Sequence, residues 1–443
     1  MSSPLRIAMF VGTFPVISET FIVNQITGML QRGHDVDIYA ELRAEKNAPV
    51  QPDVSRCGLL DRTTFMDMPP EVHPWELPIW PITEKTWVPG AINPVSNMRR
   101  LVAAAPVLAT SFLRAPALAL EACSKKRNGY LAESLSSVYR LAKLSSVSTP
   151  GAYDVLHAHF GPVANRFLFS RKLWKRPLLA SFYGYDFAVI PQREGNQVYT
   201  RLFQECDRVV VISSYIGKRL EALGCPGQKI RKIPLGVRLA EFPFAERSLR
   251  DDEPVRLLTV ARLVEKKGVE FCIQALAKLA KSLRRFEYRV IGDGPLRRNI
   301  ESLIADLGLG EVVRLDGARD LAYVRQQMAQ AHIFILPSVT AMDGDQEGQG
   351  LVLQEAQACG LPVITTTHTA LPEGIAEGKS GFLVRERDVE ALAEKILHLA
   401  RHPEIWPEMG RAGRTFVEAN FDLDVVNEKL EHLYIELRSE SGR

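Results

Sequence analysis

At 443 residues the chain is too long for one hydrophobic core, so two or three domains are expected. Lys and Arg number 55 against 52 Asp and Glu, a balance that speaks against a nucleic-acid binder. With 46% hydrophobic residues but no run of about 18 apolar ones, the chain reads as soluble and globular without a spanning helix. The nearest candidate, 101–120, is broken by Pro106, Arg114 and Pro116. The six cysteines (Cys57, Cys123, Cys206, Cys225, Cys272, Cys359) form no CxxC and lie near no histidine pair. Neither a disulfide framework nor a zinc site follows, and a reducing compartment is expected. The apolar run in MSSPLRIAMFVGTFP is too short for a secretory signal, so the expected location is the cytoplasm.

In chain order, 6–11 is a short apolar β run, and Gly12 to Pro15 should turn. Ser18 is a candidate N-cap for a helix whose Phe21, Ile22, Gln25, Ile26, Met29 and Leu30 share one face. Gly33 closes it, and 35–40 is the next strand. This βαβ unit is the building block of a doubly wound parallel sheet, although the dinucleotide fingerprint GxGxxG is absent. Residues 41–150 are less regular. Pro and Trp cluster between Pro69 and Pro94, and 98–146 then looks helical. Its Arg99, Arg100, Arg114, Lys125, Lys126, Arg127, Arg140 and Lys143 are interleaved with Leu and Ala. That pattern suits a helix lying on an anionic membrane surface, and equally an ordinary helical insertion. Strands resume at 154–159, 177–183, 208–213 and 232–235.

Residues 241–253 are charged, contain proline and read as a linker. A second β/α series follows, with strands near 256–261, 288–292, 312–316, 332–336, 362–366 and 381–384. Helices fall at 269–282, 296–307, 321–329 and 351–358, and 422–437 is a final amphipathic helix. The expected fold class is α/β: two Rossmann-like, doubly wound domains facing across a cleft. The first spans 1–240 with a helical insertion at about 95–147, and the second spans 250–415. The helix of about 420–443 is expected to pack back on the first. Such sheets bind ligands at the carboxyl ends of their strands.

Within the second series, EGQGLVLQE (347–355) puts two carboxylates around a glycine-rich helix start. Small residues before a helix N-terminus let backbone N–H groups reach a phosphate, which the helix dipole favours. Glu355, one to two turns in, can then meet ribose hydroxyls, and Glu347 points beyond the diphosphate. The spacing fits ribose, diphosphate and sugar in line. Alternatively Glu347 caps the helix dipole and Glu355 is a surface residue. In TVARLVEKKG, Arg262 and Lys267 flank a loop and could balance a diphosphate's charge, unless the loop is merely solvated. VIGDGPL, with Gly292, is a turn at the same edge that could also arise from packing.

Together ARLVEKKG, VIGDGP, ILPS, Glu347 with Glu355, and EAQACGLPVITTTHTALPE resemble the retaining nucleotide-sugar glycosyltransferases of family 4, which have the GT-B fold. The loop SVTAMDGDQEG and FPVISETFIVNQI are similar to bacterial exopolysaccharide transferases of the colanic acid type. The resemblance implies that Glu347 orients the donor sugar and that Glu355 binds ribose. It further implies that Gly350 and Leu351 offer backbone N–H groups to the diphosphate, and that Arg262 and Lys267 bind phosphate. Gly12 and Gly292 would complete the donor side. His159, in HAHFG, matches a histidine close to donor sugar and acceptor; by itself it reads as a satisfied histidine at a strand end. Glu19, Thr20 and Asp186 fall on the acceptor side. Tyr183 stands where the family often has the histidine of His-Gly-x-Asp, which puts the role of Asp186 in doubt, and Ala261 stands where glycine is frequent.

The implied enzyme is a hexosyltransferase moving a sugar from a nucleotide-diphosphate sugar, UDP before GDP-mannose, to a saccharide or polyprenyl-diphosphate-linked acceptor. No cofactor and no catalytic metal are expected. Asp343-Gly-Asp345 resembles a metal-binding pair of the other glycosyltransferase fold, but here diphosphate charge would be met by Arg, Lys and a helix terminus. A nucleotide-sugar epimerase or a non-catalytic nucleotide-sugar-binding protein could share the architecture.

Overall fold

The computed structural model describes residues 3–17, 19–45, 50–66, 97–128, 132, 134–280, 282 and 285–442. Ser18 and the Pro/Trp cluster at 69–94 therefore lie outside the described residues. The described strands form two wholly parallel sheets. The first runs β3-β2-β1-β4-β5-β6-β7. Its strands are β1 (Arg6–Phe14), β2 (Asp35–Arg43), β3 (Thr63–Phe65), β4 (Val155–His159), β5 (Leu178–Phe182), β6 (Arg208–Val211) and β7 (Ile230–Lys232). The second runs β10-β9-β8-β11-β12-β13. Its strands are β8 (Val255–Val260), β9 (Phe286–Ile291), β10 (Val313–Gly317), β11 (Ile333–Leu336), β12 (Val363–Thr366) and β13 (Gly381–Val384). In each sheet the order reverses beside the first strand, between β1 and β4 and between β8 and β11. That switch opens a crevice at the carboxyl ends.

Both sheets are covered on both faces, which is why their strands read as near-continuous apolar runs. In β1, Ile7, Met9 and Val11 face one core and Ala8 and Phe10 the other. The expected turn at Gly12 is not there: β1 continues to Phe14, pairing Thr13 with Leu42 and Phe14 with Arg43. A longer partner strand supplied register that the Gly-Thr-Phe-Pro composition hid. The last strand of this sheet lies at Ile230–Lys232 and not at 232–235, and β3 is an edge strand without an apolar run to announce it. The helical stretch at 98–146 is broken into Asn97–Arg114, Pro116–Ala122, Lys125–Asn128 and Ser136–Val147. Pro116 stands in the first turn of its helix, where its missing N–H is harmless. The structure adds the helices Val389–Arg401 and Trp406–Phe421 before the final helix, Leu423–Ser441.

That final helix leaves the second sheet and packs on the first. Val426, Leu430, Leu433, Tyr434 and Leu437 join the core of β1 and β2. Glu431 meets Arg32 and His34, while Glu436 and Glu440 meet Arg208. The chain thus crosses between the domains twice, and the crossings are paired. Val237 N donates to Phe421 O at 2.7 Å, and Leu423 N donates to Val237 O at 3.0 Å. The stretch 241–253, expected as a linker, is held to the second domain. There Arg247 is buried and donates to the carbonyls of Met328, Ala329 and Cys359.

A buried charge cluster ties the insertion to the first sheet. Glu41 of β2 accepts from Arg140 Nε at 3.0 Å and from Arg166 Nε and Nη2 at 2.7 and 2.6 Å. Arg140, counted above among the interleaved basic residues, is therefore an interior residue. Burial by itself would raise the Glu41 carboxyl, but Arg166 and Arg140 outweigh it and hold it below the ordinary range. Its folded-state pKa thus lies below its unfolded value. The stabilisation is present above the unfolded carboxylate pKa, roughly 4.3, and is lost as pH falls through the folded value. Glu41→Ala leaves two buried guanidinium groups without their carboxylate and is expected to cost about 3–5 kcal/mol. Urea denaturation at neutral pH measures this; a loss of stability no larger than for an exposed glutamate would contradict it.

Candidate functional site

The carboxyl ends of β8 and β11 carry the two loops that matter most. Beyond β11 the chain runs from Ser338 to Gly350 before entering the helix Leu351–Ala358. Gly350 takes a left-handed conformation, φ 69° and ψ 53°, which a residue with a side chain adopts only at a cost. Glu347 lies inside this loop with 9% of its surface exposed. It forms an ion pair with Lys267, which sits on the single turn Glu265–Lys267 beyond β8. Burial alone would raise the Glu347 carboxyl, yet Lys267 and Lys266 override it and bring its pKa down to about 2. It is a permanent anion at physiological pH.

The support around Glu347 is dense. Its N–H donates to His368 Nε2 at 3.0 Å, so the other ring nitrogen, Nδ1, carries the hydrogen and donates to Glu386 at 2.7 Å. Thr369 Oγ1 donates to the Glu347 carbonyl at 2.7 Å. Lys266 binds Asp345 at 3.0 Å and the Gln346 carbonyl at 3.2 Å. Asp343, the other member of the Asp-x-Asp pair, accepts from Asp345 N at 2.9 Å. Among the described residues no group of three or more His, Cys, Asp or Glu is placed to hold a metal ion. Glu386 and Lys266 carry no motif of their own. Lys266 could have been flagged as a second lysine beside Lys267; Glu386 gave no local signal.

Arg262 is half-buried, with burial lowering its pKa and Asp345 and Glu347 opposing that. Its loop is clamped by the VIGDGPL turn: Ala261 N donates to Ile291 O at 2.9 Å and Leu263 N to Asp293 O at 3.0 Å. Gly292 is required there, because a Cβ would lie 1.9 Å from the Ala261 carbonyl oxygen. Arg262, Lys266 and Lys267 thus stand with Glu347 and Asp345 before the N-terminus of Leu351–Ala358. Glu355 lies half-buried in the second turn of that helix. Burial raises its pKa to about 7, with Arg325 opposing and Glu241 reinforcing the shift.

From the first domain, His159 ends β4 wholly buried, with Nδ1 2.7 Å from Tyr183 Oη. Burial lowers its pKa to about 3, so the ring is neutral. Asp186 is also buried, and its oxygens accept from the N–H groups of Gly161, Tyr183 and Gly184 at 3.2, 3.0 and 2.9 Å. Its carboxylate is engaged in shaping the loop after β5. Glu19 and Thr20 open the helix Thr20–Gln31. Burial raises the Glu19 carboxyl to about 7, and Phe21, two residues on, packs on Tyr183 with ring centroids 4.5 Å apart. Gly12 sits within β1 near Val163 and not on a loop.

The two halves touch at this place. A Cβ on Gly348 would lie 2.3 Å from the Tyr183 carbonyl oxygen. Gln349 accepts from Leu235 N at 2.7 Å and donates to Leu235 O at 3.0 Å. Glu373 accepts from Ser214 N and Tyr215 N at 3.0 Å and from Lys232 at 2.8 Å. Leu351 packs against cores of both domains. Gln349 escaped sequence reading, although a polar residue between two glycines was a hint.

Comparison with known proteins gives the family and the fold. Residues 107–241 match the family described as Glycosyltransferase Family 4, and residues 242–416 match Glycosyl transferases group 1. The chain is 32% identical over 438 residues to WcaL of Salmonella typhimurium, named as a colanic acid biosynthesis glycosyltransferase, covering 97% of this chain and 99% of that one. It is 31% identical to the amylovoran biosynthesis glycosyltransferase AmsK of Erwinia amylovora, covering 96% and 98%. In fold it resembles Anabaena HepE, solved with UDP and glucose, at a TM-score of 0.65 and 15% identity over 98% of this chain and all of that one.

Gly348→Ala is expected to hold the domains apart, because the added methyl group meets a backbone carbonyl across the interface. Small-angle scattering should show a larger radius of gyration than for the unaltered protein. An unchanged radius would mean that the loop yields instead.

Proposed function

The chain belongs to the glycosyltransferases of group 1 and family 4, and from that membership we propose that it is a retaining enzyme of bacterial exopolysaccharide or cell-surface polysaccharide synthesis. It takes a hexose from a nucleotide-diphosphate sugar, a UDP-sugar before GDP-mannose, and passes it to a saccharide or lipid-linked oligosaccharide acceptor. The observation that carries this reading is the buried ion pair of Lys267 with Glu347 beside Arg262, at the start of Leu351–Ala358. A diphosphate laid there meets two cations and the positive end of a helix. Glu355 then lies level with the ribose, and Glu347 with the sugar's hydroxyls. The UDP of HepE and the polysaccharide pathways in the relatives' names support the donor and the product class.

In the proposed mechanism the bond between the anomeric carbon and the diphosphate oxygen breaks through an oxocarbenium-like state. The acceptor hydroxyl attacks from the same face, and its proton passes to the leaving diphosphate. Arg262 and Lys267 stabilise the charge that develops on that leaving group. Glu347 fixes the sugar and, as an anion, favours the cationic transition state. His159 contacts the sugar from the first domain. Asp345 is engaged by Lys266, and the charge balance of the diphosphate is supplied by side chains, so the reaction is proposed to need no metal.

The insertion also bears on where the enzyme works. No helix among the described residues is long and apolar enough to cross a membrane. Leu101, Val102 and Leu113 of Asn97–Arg114 and Leu120 of the next helix are more than half exposed, near Arg114. An apolar face with basic neighbours suits docking on the anionic inner leaflet, where a lipid-linked acceptor would lie.

Saturation-transfer NMR against UDP-glucose, UDP-galactose, UDP-N-acetylglucosamine, GDP-mannose and NAD should find one nucleotide sugar that binds and that Glu355→Ala weakens. With that donor, Lys267→Ala should lower kcat about 100- to 1000-fold. Binding of NAD alone, or near-normal turnover by Lys267→Ala, would sink the reading. Separately, phosphatidylglycerol vesicles should co-sediment the unaltered protein but not a Val102→Ser, Leu113→Ser, Arg114→Ser variant. Equal and negligible sedimentation of both would remove the membrane surface from the account.

A further inference from the structure

A chain of buried polar groups runs from the crossing helix to the site. The Tyr434 hydroxyl, on Leu423–Ser441, is 2.6 Å from His157 Nδ1. His157 Nε2 is 2.7 Å from Ser181 Oγ. Two residues beyond Ser181, just past the end of β5, comes Tyr183. Tyr183 Oη is 2.7 Å from His159 Nδ1. At the end, His159 Nε2 is buried and has no hydrogen-bond partner among the described residues. Tyr434, His157 and His159 are wholly buried, and Ser181 and Tyr183 nearly so.

The hydrogen between Tyr183 and His159 can lie either way, and the position of the group left over distinguishes the two. Burial keeps the His159 imidazole neutral, so the ring carries one N–H and offers one lone pair. Burial likewise keeps the Tyr183 phenol protonated. If His159 Nδ1–H donates to Tyr183, the Tyr183 O–H is the unpaired donor, packed against Phe21 and Phe160, where nothing among the described residues accepts it. If Tyr183 donates to His159 Nδ1, the unpaired donor of the ligand-free protein is His159 Nε2–H. That group ends β4 at its carboxyl end, where a ligand can accept from it.

We propose that Tyr183 is a positioning residue whose hydroxyl donates to His159 Nδ1 and so holds His159 as the Nε2–H tautomer, a fixed hydrogen-bond donor for a hydroxyl of the donor sugar. The acceptor, and with it the preference for this tautomer, rests on the glycosyltransfer reading above; the Tyr183–His159 hydrogen bond does not. The same residue touches the donor loop, since its carbonyl faces Gly348. Tyr183 therefore links the ring to the loop that carries Glu347. A phenylalanine would keep the packing on Phe21 and Phe160 and the backbone bonds to Asp186, and would lose only the hydroxyl.

The test is long-range ¹⁵N–¹H correlation NMR on the histidine-labelled, ligand-free full chain, with the His159 ring assigned by its loss in His159→Gln. The unaltered protein should show His159 as a single Nε2–H tautomer with Nδ1 as acceptor. Tyr183→Phe should show a mixture of tautomers, and its kcat/KM for the donor should fall about tenfold while the melting temperature stays close to the original. A hydrogen on Nδ1 in the unaltered protein overturns the proposal, as does a His159 spectrum that Tyr183→Phe leaves unchanged. Should Tyr183→Phe not fold, the spectrum of the unaltered protein still decides the direction. If the tautomer is as stated but no nucleotide sugar binds, the transferase reading of the site fails and the positioning role stands.

Discussion

Glu347 is a carboxylate placed where water barely reaches, and the second domain is organised so that it can remain charged there. A buried anion without partners would take up a proton. Lys267 and Lys266 prevent this from one side, while His368 receives the backbone N–H and Thr369 holds the carbonyl. Each support comes from a different strand end: β8 for the lysines, β11 for the loop itself, β12 for His368 and Thr369, and β13 for Glu386. A parallel sheet brings these carboxyl ends together, so the charge balance of the site is a consequence of the topology.

The second constraint is the approach of the two domains. Gly348 has no side chain because the Tyr183 carbonyl occupies that space, and Gln349 uses both ends of its amide on Leu235. Glu373 reaches the start of Ser214–Ala222 and neutralises its dipole. These contacts lie on the cleft side of both sheets, while the paired crossings at Val237 and Leu423 hold the domains in register. Through Tyr183 the first domain also meets the loop that carries Glu347, its carbonyl lying against Gly348.

Much of this was legible beforehand, for a physical reason. Parallel strands covered on both faces give continuous apolar runs, and the helices between them show a 3.6-residue period, so the β/α rhythm stands out. The elements that escaped are those whose existence depends on a partner. β3 is three residues of an edge, and β1 passes through Gly12 because β2 offers it a register. The helices Val389–Arg401 and Trp406–Phe421 have an amphipathic period but carry no chemical motif. EGQGLVLQE and ARLVEKKG stand out because a glycine-bounded helix start and a basic loop are local patterns. Asp186 looked like a ligand-facing acid and is occupied with three backbone N–H groups, and Arg140 looked like a surface cation and is bound to Glu41.

The sequence by itself determined the two-domain α/β fold, the glycine-bounded helix start and the presence there of Glu347, Glu355, Arg262 and Lys267, because those features are written over a few consecutive residues. Only the tertiary structure decided which charges meet and which are buried. Lys267 lies 80 residues from its partner Glu347, Glu386 lies 18 from His368, and Tyr434 lies 277 from His157. Burial and ion pairing depend on what the rest of the chain places nearby, and no local pattern encodes that.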